Sequence, residues 1–457
     1  MNRLSLAALP LIALVAACGP STQGLDQTGA QPQLPEPARG LLPSMQIATP
    51  TGWDGEMPTA PQGYTVTAIA TDLKIPRQML LLPNGDILVA EGSGGKAPKL
   101  RPKDVIAGVI KNRGKSSVKG GDRITLLRDS DGDGRTDLQT TFIEGLDAPY
   151  GLAMVGNDIF VANQGNLLRF AYTPGATSIA GPGEEVTELP AVINHHWTKS
   201  LAASPDGSKL YVGIGSNSNA GERGMDAEED RAVIWEIDRE TGAHRIFASG
   251  IRNPTALAFD PWQDRLWAAV NERDEIGPEL VPDYLTAVQD GAFYGWPYSY
   301  WGQNIDTRPR PRKPELVKTA IRPDYALGSH VAALGLDFVT GTGMGGNFTE
   351  GAFVGMHGSW NRKDLSGYKV VFVPFRGGRP AGKPVDFLTG FLADGKARGR
   401  PVGVLFDEAR GALLVADDLS NTVWRITPNQ RPAPSGTAAP PSGTAPVATS
   451  SPAAPRT

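Results

Sequence analysis

Six times along the chain an apolar run, a turn built on Pro, Asp, Asn or Gly, and a second, alternating apolar run follow one another. The copies are "RQMLLLPNGDILVAEG" from Arg77, "PYGLAMVGNDIFVANQG" from Pro149, "KSLAASPDGSKLYVGIGS" from Lys199, "PTALAFDPWQDRLWAAVNE" from Pro254, "AALGLDFVTG…GAFVGMHGSW" from Ala333 and "PVGVLFDEARGALLVADD" from Pro401. Each has the pattern of a β-hairpin, two strands around a turn-forming tip. Six similar hairpins at uneven spacing imply six antiparallel units with insertions between them. A ring of such units hides its sheet edges against neighbours. The expectation is an all-β fold, a six-bladed β-propeller with antiparallel four-stranded blades. A β-sandwich is the alternative, and it gives no reason for six alike hairpins. The 55 Gly and 39 Pro among 457 residues supply the turns that many short strands need.

In a propeller the innermost strands line a central channel, so residues just before the hairpins converge on one mouth. His195 and His196, in "NHHWTKS", stand there before the third hairpin. Strand alternation sends neighbouring side chains to opposite faces, so at most one of the two should face the channel, and a two-histidine metal site is the poorest option. A neutral imidazole at that place suits general-base work; packing is its bland alternative. "GIRNP" precedes the fourth hairpin and "ARGRP" the sixth, which puts Arg252, Arg398 and Arg400 at equivalent entrances. Rim ion pairs are the ordinary fate of such arginines. Convergence of several would favour a planar polycarboxylate ligand, because a guanidinium pairs with carboxylate bidentately.

The stretch "VNERDEIGPELVPDYLTAVQDGAFYGWPYSYWG" after the fourth hairpin offers Glu272, Asp274 and Glu275, with turn carbonyls, as oxygen donors for a hard cation such as calcium; Tyr294 is a further oxygen. Its aromatic run, Phe293, Tyr294, Trp296, Tyr298, Tyr300 and Trp301, could wall a sugar or flat cofactor, or pack between blades. In "DSDGDGRTD", Asp129, Asp131, Asp133 and Asp137 match the start of a calcium loop, but Thr140 stands where a bidentate Glu would close it. An acidic hairpin turn is the alternative there.

Met1–Cys18, with "LSLAALPLIALV" running into "VAAC", has the form of a lipoprotein signal whose cleavage leaves Cys18 to be acylated. The residues after it, Gly19 and Pro20, favour retention in an outer membrane, with the protein facing the periplasm. Residues 19–61, rich in Gln, Pro and Gly, read as a flexible tether; 62–430 hold the propeller; 431–457, nearly all Pro, Ala, Ser, Thr and Gly, read as a disordered tail. Cys18 is the only cysteine, which leaves no disulfide or thiol chemistry to the mature fold. A net charge of −4 shows no basic surplus, so nucleic acid is not an expected partner.

Taken together, "GIRNPTALAFDP", "NERDEIGPELVPDYLT", "GAFYGWPYSY", "GSWNR…GYKVVFVPF" and "RGRPVGVLFD…LLVADD…NTVWRI" resemble the PQQ-dependent soluble sugar dehydrogenases, the glucose and L-sorbosone dehydrogenase group, with the sorbosone branch the better fit. The resemblance implies PQQ and calcium as cofactors, with a sugar or aldehyde as substrate and a quinone or cytochrome as electron acceptor. It makes His196 the base and gives Arg252 and Asn253 contacts to cofactor and substrate. Arg398 and Arg400 become holders of PQQ carboxylates, and the backbone carbonyls of Glu272 and Arg273 become calcium ligands. Asn361 or Arg362 stands where the family has a PQQ-binding lysine, and His195 where it has an aspartate before the catalytic histidine. A non-catalytic envelope propeller that binds or senses is the rival reading. A calcium-dependent lactonase is less favoured, since the mouth residues are basic.

Overall fold

In the computed structural model, residues 24–38, 45–95, 119–341 and 343–429 are described. The signal segment with Cys18 and the tail 431–457 lie outside them. Among the described residues six antiparallel sheets of four or more strands follow the six hairpins. Blade 1 comprises Pro76–Leu81, Ile87–Glu91, Arg123–Arg128 and Leu138–Ile143. Blade 2 comprises Gly151–Val155, Asp158–Ala162, Asn166–Ala171 and Glu184–Glu188. Blade 3 is built from Lys199–Ala203, Lys209–Ile214, Val233–Asp238 and His244–Ser249. In blade 4 the strands are Pro254–Phe259, Leu266–Val270, Pro282–Ala287 and Tyr325–Ser329. Blade 5 has Ala333–Val339, Gly351–Met356, Lys369–Arg376 and Val385–Leu388.

Blade 6 closes the ring across the chain's length. Its inner strands, Pro401–Asp407, Ala412–Asp417 and Thr422–Pro428, take Tyr64–Ala70 as their outer strand, in register from Tyr64 opposite Pro428 to Ala70 opposite Val423. The first strands of the blades touch in order around the ring, blade 6 against blade 1 included. Second strands such as Ala412–Asp417 are buried on both faces, which is why they read as apolar runs; outer strands such as Glu184–Glu188 are charged and exposed, which blunts their edges.

The core is a ring of layers between blades. Phe353, Phe372 and Phe387 of blade 5 meet Leu413, Trp424 and Ile426 of blade 6, and Trp267 and Leu285 of blade 4 meet Val354 and Val371 of blade 5. Tyr150, fully buried before blade 2, crosses the channel and donates its hydroxyl proton to Thr255 O (3.0 Å) and Leu334 O (3.3 Å), on blades 4 and 5. Its hydroxyl thereby ties the entrance of blade 2 to the first strands of blades 4 and 5.

The expectation of a flexible tether over 19–61 fails for the residues described there. Thr28–Gly29 pairs with Leu327 and Ala326 as a fifth strand of blade 4. Thr49–Pro50 pairs with Lys396–Ala397, Ala48 is fully buried, and the Trp53 ring lies 5.4 Å from those of Phe391 and Trp424. An unpaired sheet edge can take an added strand of almost any sequence, because backbone groups make the bonds. Composition therefore did not forbid docking.

Candidate functional site at the propeller mouth

In each antiparallel blade the chain before the innermost strand and the turn between the second and third strands lie at the same end. His195–Thr198, Gly250–Asn253, His330–Ala332 and 398–400 are thus gathered with the loops 215–232, 271–281, 357–368 and 418–421.

His196 is half-buried in a bend before the strand that starts at Lys199. Its Nδ1 lies 2.8 Å from Ser216 O and 3.0 Å from Ser216 Oγ. A carbonyl oxygen only accepts, so Nδ1 carries the ring proton and Nε2 keeps its lone pair. Ser216 Oγ donates to Ser218 O at 2.6 Å, and Ser218 Oγ donates to the buried Glu228. Burial, then the charges of Arg252 and His195, push His196 well below the usual histidine value, so it is neutral at neutral pH. The His195 ring is 4.7 Å away and nearly perpendicular. Strand alternation does not separate the two histidines as expected, because neither lies on a strand; the Ser216 contacts are what single out His196.

Arg252, 3% exposed, spends all its donors on the loops beside it. Nη1 reaches Glu272 O (2.7 Å) and Asn271 O (3.3 Å), Nε reaches Asn219 O (3.3 Å), and Nη2 reaches Asn219 Oδ1 (3.0 Å) and Asp274 Oδ2 (3.3 Å). The other oxygen of Asp274 accepts from Asn361 Nδ2 at 2.6 Å and lies 3.4 Å from His330 Nδ1. Burial disfavours charge on His330, but Asp274 and the Gly277 carbonyl outweigh it and raise its pKa. Asn253 Oδ1 is 3.4 Å from Thr198 Oγ1, which ties the entrances of blades 3 and 4 together.

A second ionic group sits across the mouth. Asp418 binds Arg77 Nη1 at 2.9 Å and has His357 Nε2 at 3.1 Å from both its oxygens, while Arg77 lies 5.3 Å over the ring of Trp197, next to His196. Burial would raise Asp418, but His357, Arg77 and Arg400 hold its carboxyl far below the usual range. Arg400 is buried, and its backbone N–H donates to Asp417 Oδ1 at 2.8 Å.

Several sequence expectations are corrected by this geometry. The carbonyl of Glu272, expected as a calcium ligand, already accepts from Arg252; the Arg273 guanidinium is buried against Asp306, which leaves the expectation for its backbone carbonyl as it stood. Tyr294 is no metal ligand: its hydroxyl donates to Ala287 O at 3.0 Å inside blade 4, where Leu285 and Ala287 lead away from the mouth. Arg362 turns to the outer rim, to Glu279 Oε1 (2.7 Å) and Ser329 O (3.2 Å), so Asn361 is the one that faces the site. Arg398 is taken by Glu56 and lies over Trp53 at 6.0 Å, because the docked N-terminal segment supplies both a carboxylate and a ring. Glu275 borders a cavity of about 250 Å³ with Asn219, Glu222, Arg308 and Arg310.

At the opposite end, Asp129, Asp131 and Asp137 bring one oxygen each within 4.8 Å of one another, but Asp133 turns to the Arg135 N–H (2.7 Å) and Thr140 is in a strand opposite Leu126. Sequence reasoning missed His330, His357, Arg77 and Asp418. His330 stands three residues before its blade, as His196 does, so the entrance rule already in use would have found it.

For a cation or a carboxylate-bearing cofactor the donor set fits. Among the described residues Asn271 Oδ1 and Asn361 Oδ1 are buried with no hydrogen-bond partner, beside Arg252 and Asp274. Such orphaned oxygens call for a cation or a donor. The fold and the mouth thus define a closed propeller that gathers histidines and buried arginines at one end. The sequence matches the TrAA12-like family over residues 58–283 and 313–429, and the chain belongs to that family. An uncharacterized protein of Borreliella burgdorferi is 30% identical over 236 residues, 50% of this chain and 60% of that one; the aldose sugar dehydrogenase YliI of Escherichia coli is 34% identical over 102 residues, 22% and 26%. The matched stretches span less than two thirds of either relative. Among solved structures, a calcium structure of a Trichoderma reesei family AA12 carbohydrate-active enzyme superimposes with TM-score 0.66 at 19% identity, over 84% of this chain and 99% of that one. The holo pyranose dehydrogenase PQQ domain of Coprinopsis cinerea gives 0.64 at 20%, over 84% and 100%.

Proposed function

We propose that this protein oxidises an aldose or aldehyde, of the sorbosone or glucose type, to a lactone or acid with PQQ and calcium. The observation that carries the reading is His196, with Nδ1 committed to Ser216 and Nε2 left as a base, at one mouth with the buried cations Arg252 and Arg400. The titles of the similar proteins, an aldose sugar dehydrogenase and a pyranose dehydrogenase PQQ domain, support the cofactor and the substrate class.

PQQ and calcium held in the mouth would supply the hydride acceptor. Arg400 would pair with the PQQ carboxylates, Arg252, whose N–H donors are all held by the loops beside it, would lend positive charge next to them, and the oxygens of Asn271 and Asn361 would serve the cation. His196 Nε2 takes the proton of the substrate hydroxyl, and Arg252 stabilises the negative charge that develops on that oxygen. The electrons leave to a quinone or cytochrome, and Cys18 anchors the protein in the cell envelope, facing the periplasm.

Reconstitution with PQQ and calcium, followed by gel filtration and dye reduction on a panel of aldoses and aldehydes, tests this. Retained PQQ absorbance with turnover is expected. No retained absorbance sinks the reading, and binding without turnover replaces it with a sensor.

A further inference from the structure

The docked N-terminal segment runs along the end of the propeller that bears the mouth. Gln27 Nε2 donates to Glu279 O at 2.5 Å, Ala38 N to Ile276 O at 2.7 Å, and Gln46 N to Trp360 O at 3.1 Å. Glu279 and Ile276 belong to the loop that carries Asp274, and Trp360 precedes Asn361. Gly24 and Leu25 share a cavity of about 810 Å³ with Glu279, Arg362 and Asp364 on the rim between blades 4 and 5. The Thr28–Gly29 pairing and the Asp26–Lys383 ion pair (2.5 Å) fix the chain there.

Cys18 lies six residues before Gly24. A fully extended chain covers about 3.5 Å per residue, so the anchor reaches about 20 Å from the rim. A loose tether to residue 61 would reach roughly 150 Å and let any face turn to the membrane. We propose that the protein sits with its mouth end against the bilayer, the rim between blades 4 and 5 held at the headgroups. The inference rests on the reading of Cys18 as acylated.

The test uses the full, acylated chain in vesicles of phosphatidylethanolamine and phosphatidylglycerol carrying a headgroup quencher. Acylation consumes the single native thiol, so Lys363→Cys, on the exposed mouth loop of blade 5, and Thr177→Cys, on the exposed opposite end of blade 2, each give one site for a dye. Quenching at 363 should exceed that at 177 by about threefold or more, given an anchor reach of about 20 Å. An insert of about 30 Gly and Ser residues after Gln23 should bring the ratio to about one. Equal quenching without the insert, or stronger quenching at 177, overturns the orientation. Dye uptake by the wild-type chain would mean that Cys18 is not acylated, which overturns the anchoring itself; neither result bears on PQQ binding or turnover.

Discussion

The carbonyl of Ser216 decides which nitrogen of His196 can act, and that makes the base testable without disturbing the cofactor. His196→Gln can keep an amide donor near Ser216 O but has no basic nitrogen. Turnover should fall by about 10²- to 10⁴-fold while PQQ absorbance after gel filtration is kept. Full activity in the variant would remove the base. Because the folded pKa of His196 is pushed well below 6.5, its base form persists as pH falls through that value, so kcat/KM should hold its level to below about pH 6.5 before the acid limb begins. An acid limb centred at 6.5 would contradict the desolvated setting. Asn361 and Arg362 make a second contrast: Asn361→Ala should weaken PQQ and calcium retention by about tenfold or more, as loss of one buried polar partner costs 1–3 kcal/mol. Arg362→Ala, on the outer rim, should leave it unchanged, and the reverse pattern would reassign the site. The nomination of His196 was legible from its place before a hairpin. Its partner was not, because Ser216 comes twenty residues later and reaches His196 only when the loop 215–232 folds back.

At the scale of elements, the hairpins were readable because alternation and turn residues are local properties, and blade packing buries both faces of the inner strands. The docked segment was unreadable for the opposite reason. It holds on through backbone bonds to Leu327, Ile276 and Trp360 and through isolated side chains such as Trp53, none of which leaves a period in the sequence. That misreading spread to Arg398, whose partner Glu56 lies in the segment taken for a tether. Trp53→Ala removes edge contacts to Phe391 and Trp424 and the ring under Arg398. For a half-buried Trp the loss should be about 1–3 kcal/mol, below the range for a fully buried one. The melting temperature should fall while PQQ retention stays the same. An equal loss of PQQ retention would return Arg398 to the cofactor site.

Across the whole molecule, burial of carboxyls around the mouth ties stability to pH. Burial raises Glu228 from its ordinary 4.5 to about 7, against hydrogen bonds from Ser218 and the Asn217 N–H. It also raises Glu272 to about 7 and Asp283 to about 6. Between the unfolded and folded values the folded chain holds more protons than the unfolded one, so stability is full below about 4.5 and is lost as pH rises toward 7. His330, also raised, acts in the same direction; His196, lowered, opposes it. The cofactor-free protein should therefore melt a few degrees higher at about pH 5 than at about pH 7.5. Glu228→Gln, whose one amide oxygen keeps an acceptor for the Asn217 N–H while its NH2 can donate to Ser218 Oγ, cannot ionise and should flatten that slope. PQQ with calcium should stabilise more at the higher pH, since a cation favours ionised oxygen ligands. A melting temperature that climbs from pH 5 to 7.5 in the cofactor-free protein would mean that these carboxyls ionise freely in the fold, and that the mouth is wetter than its geometry implies.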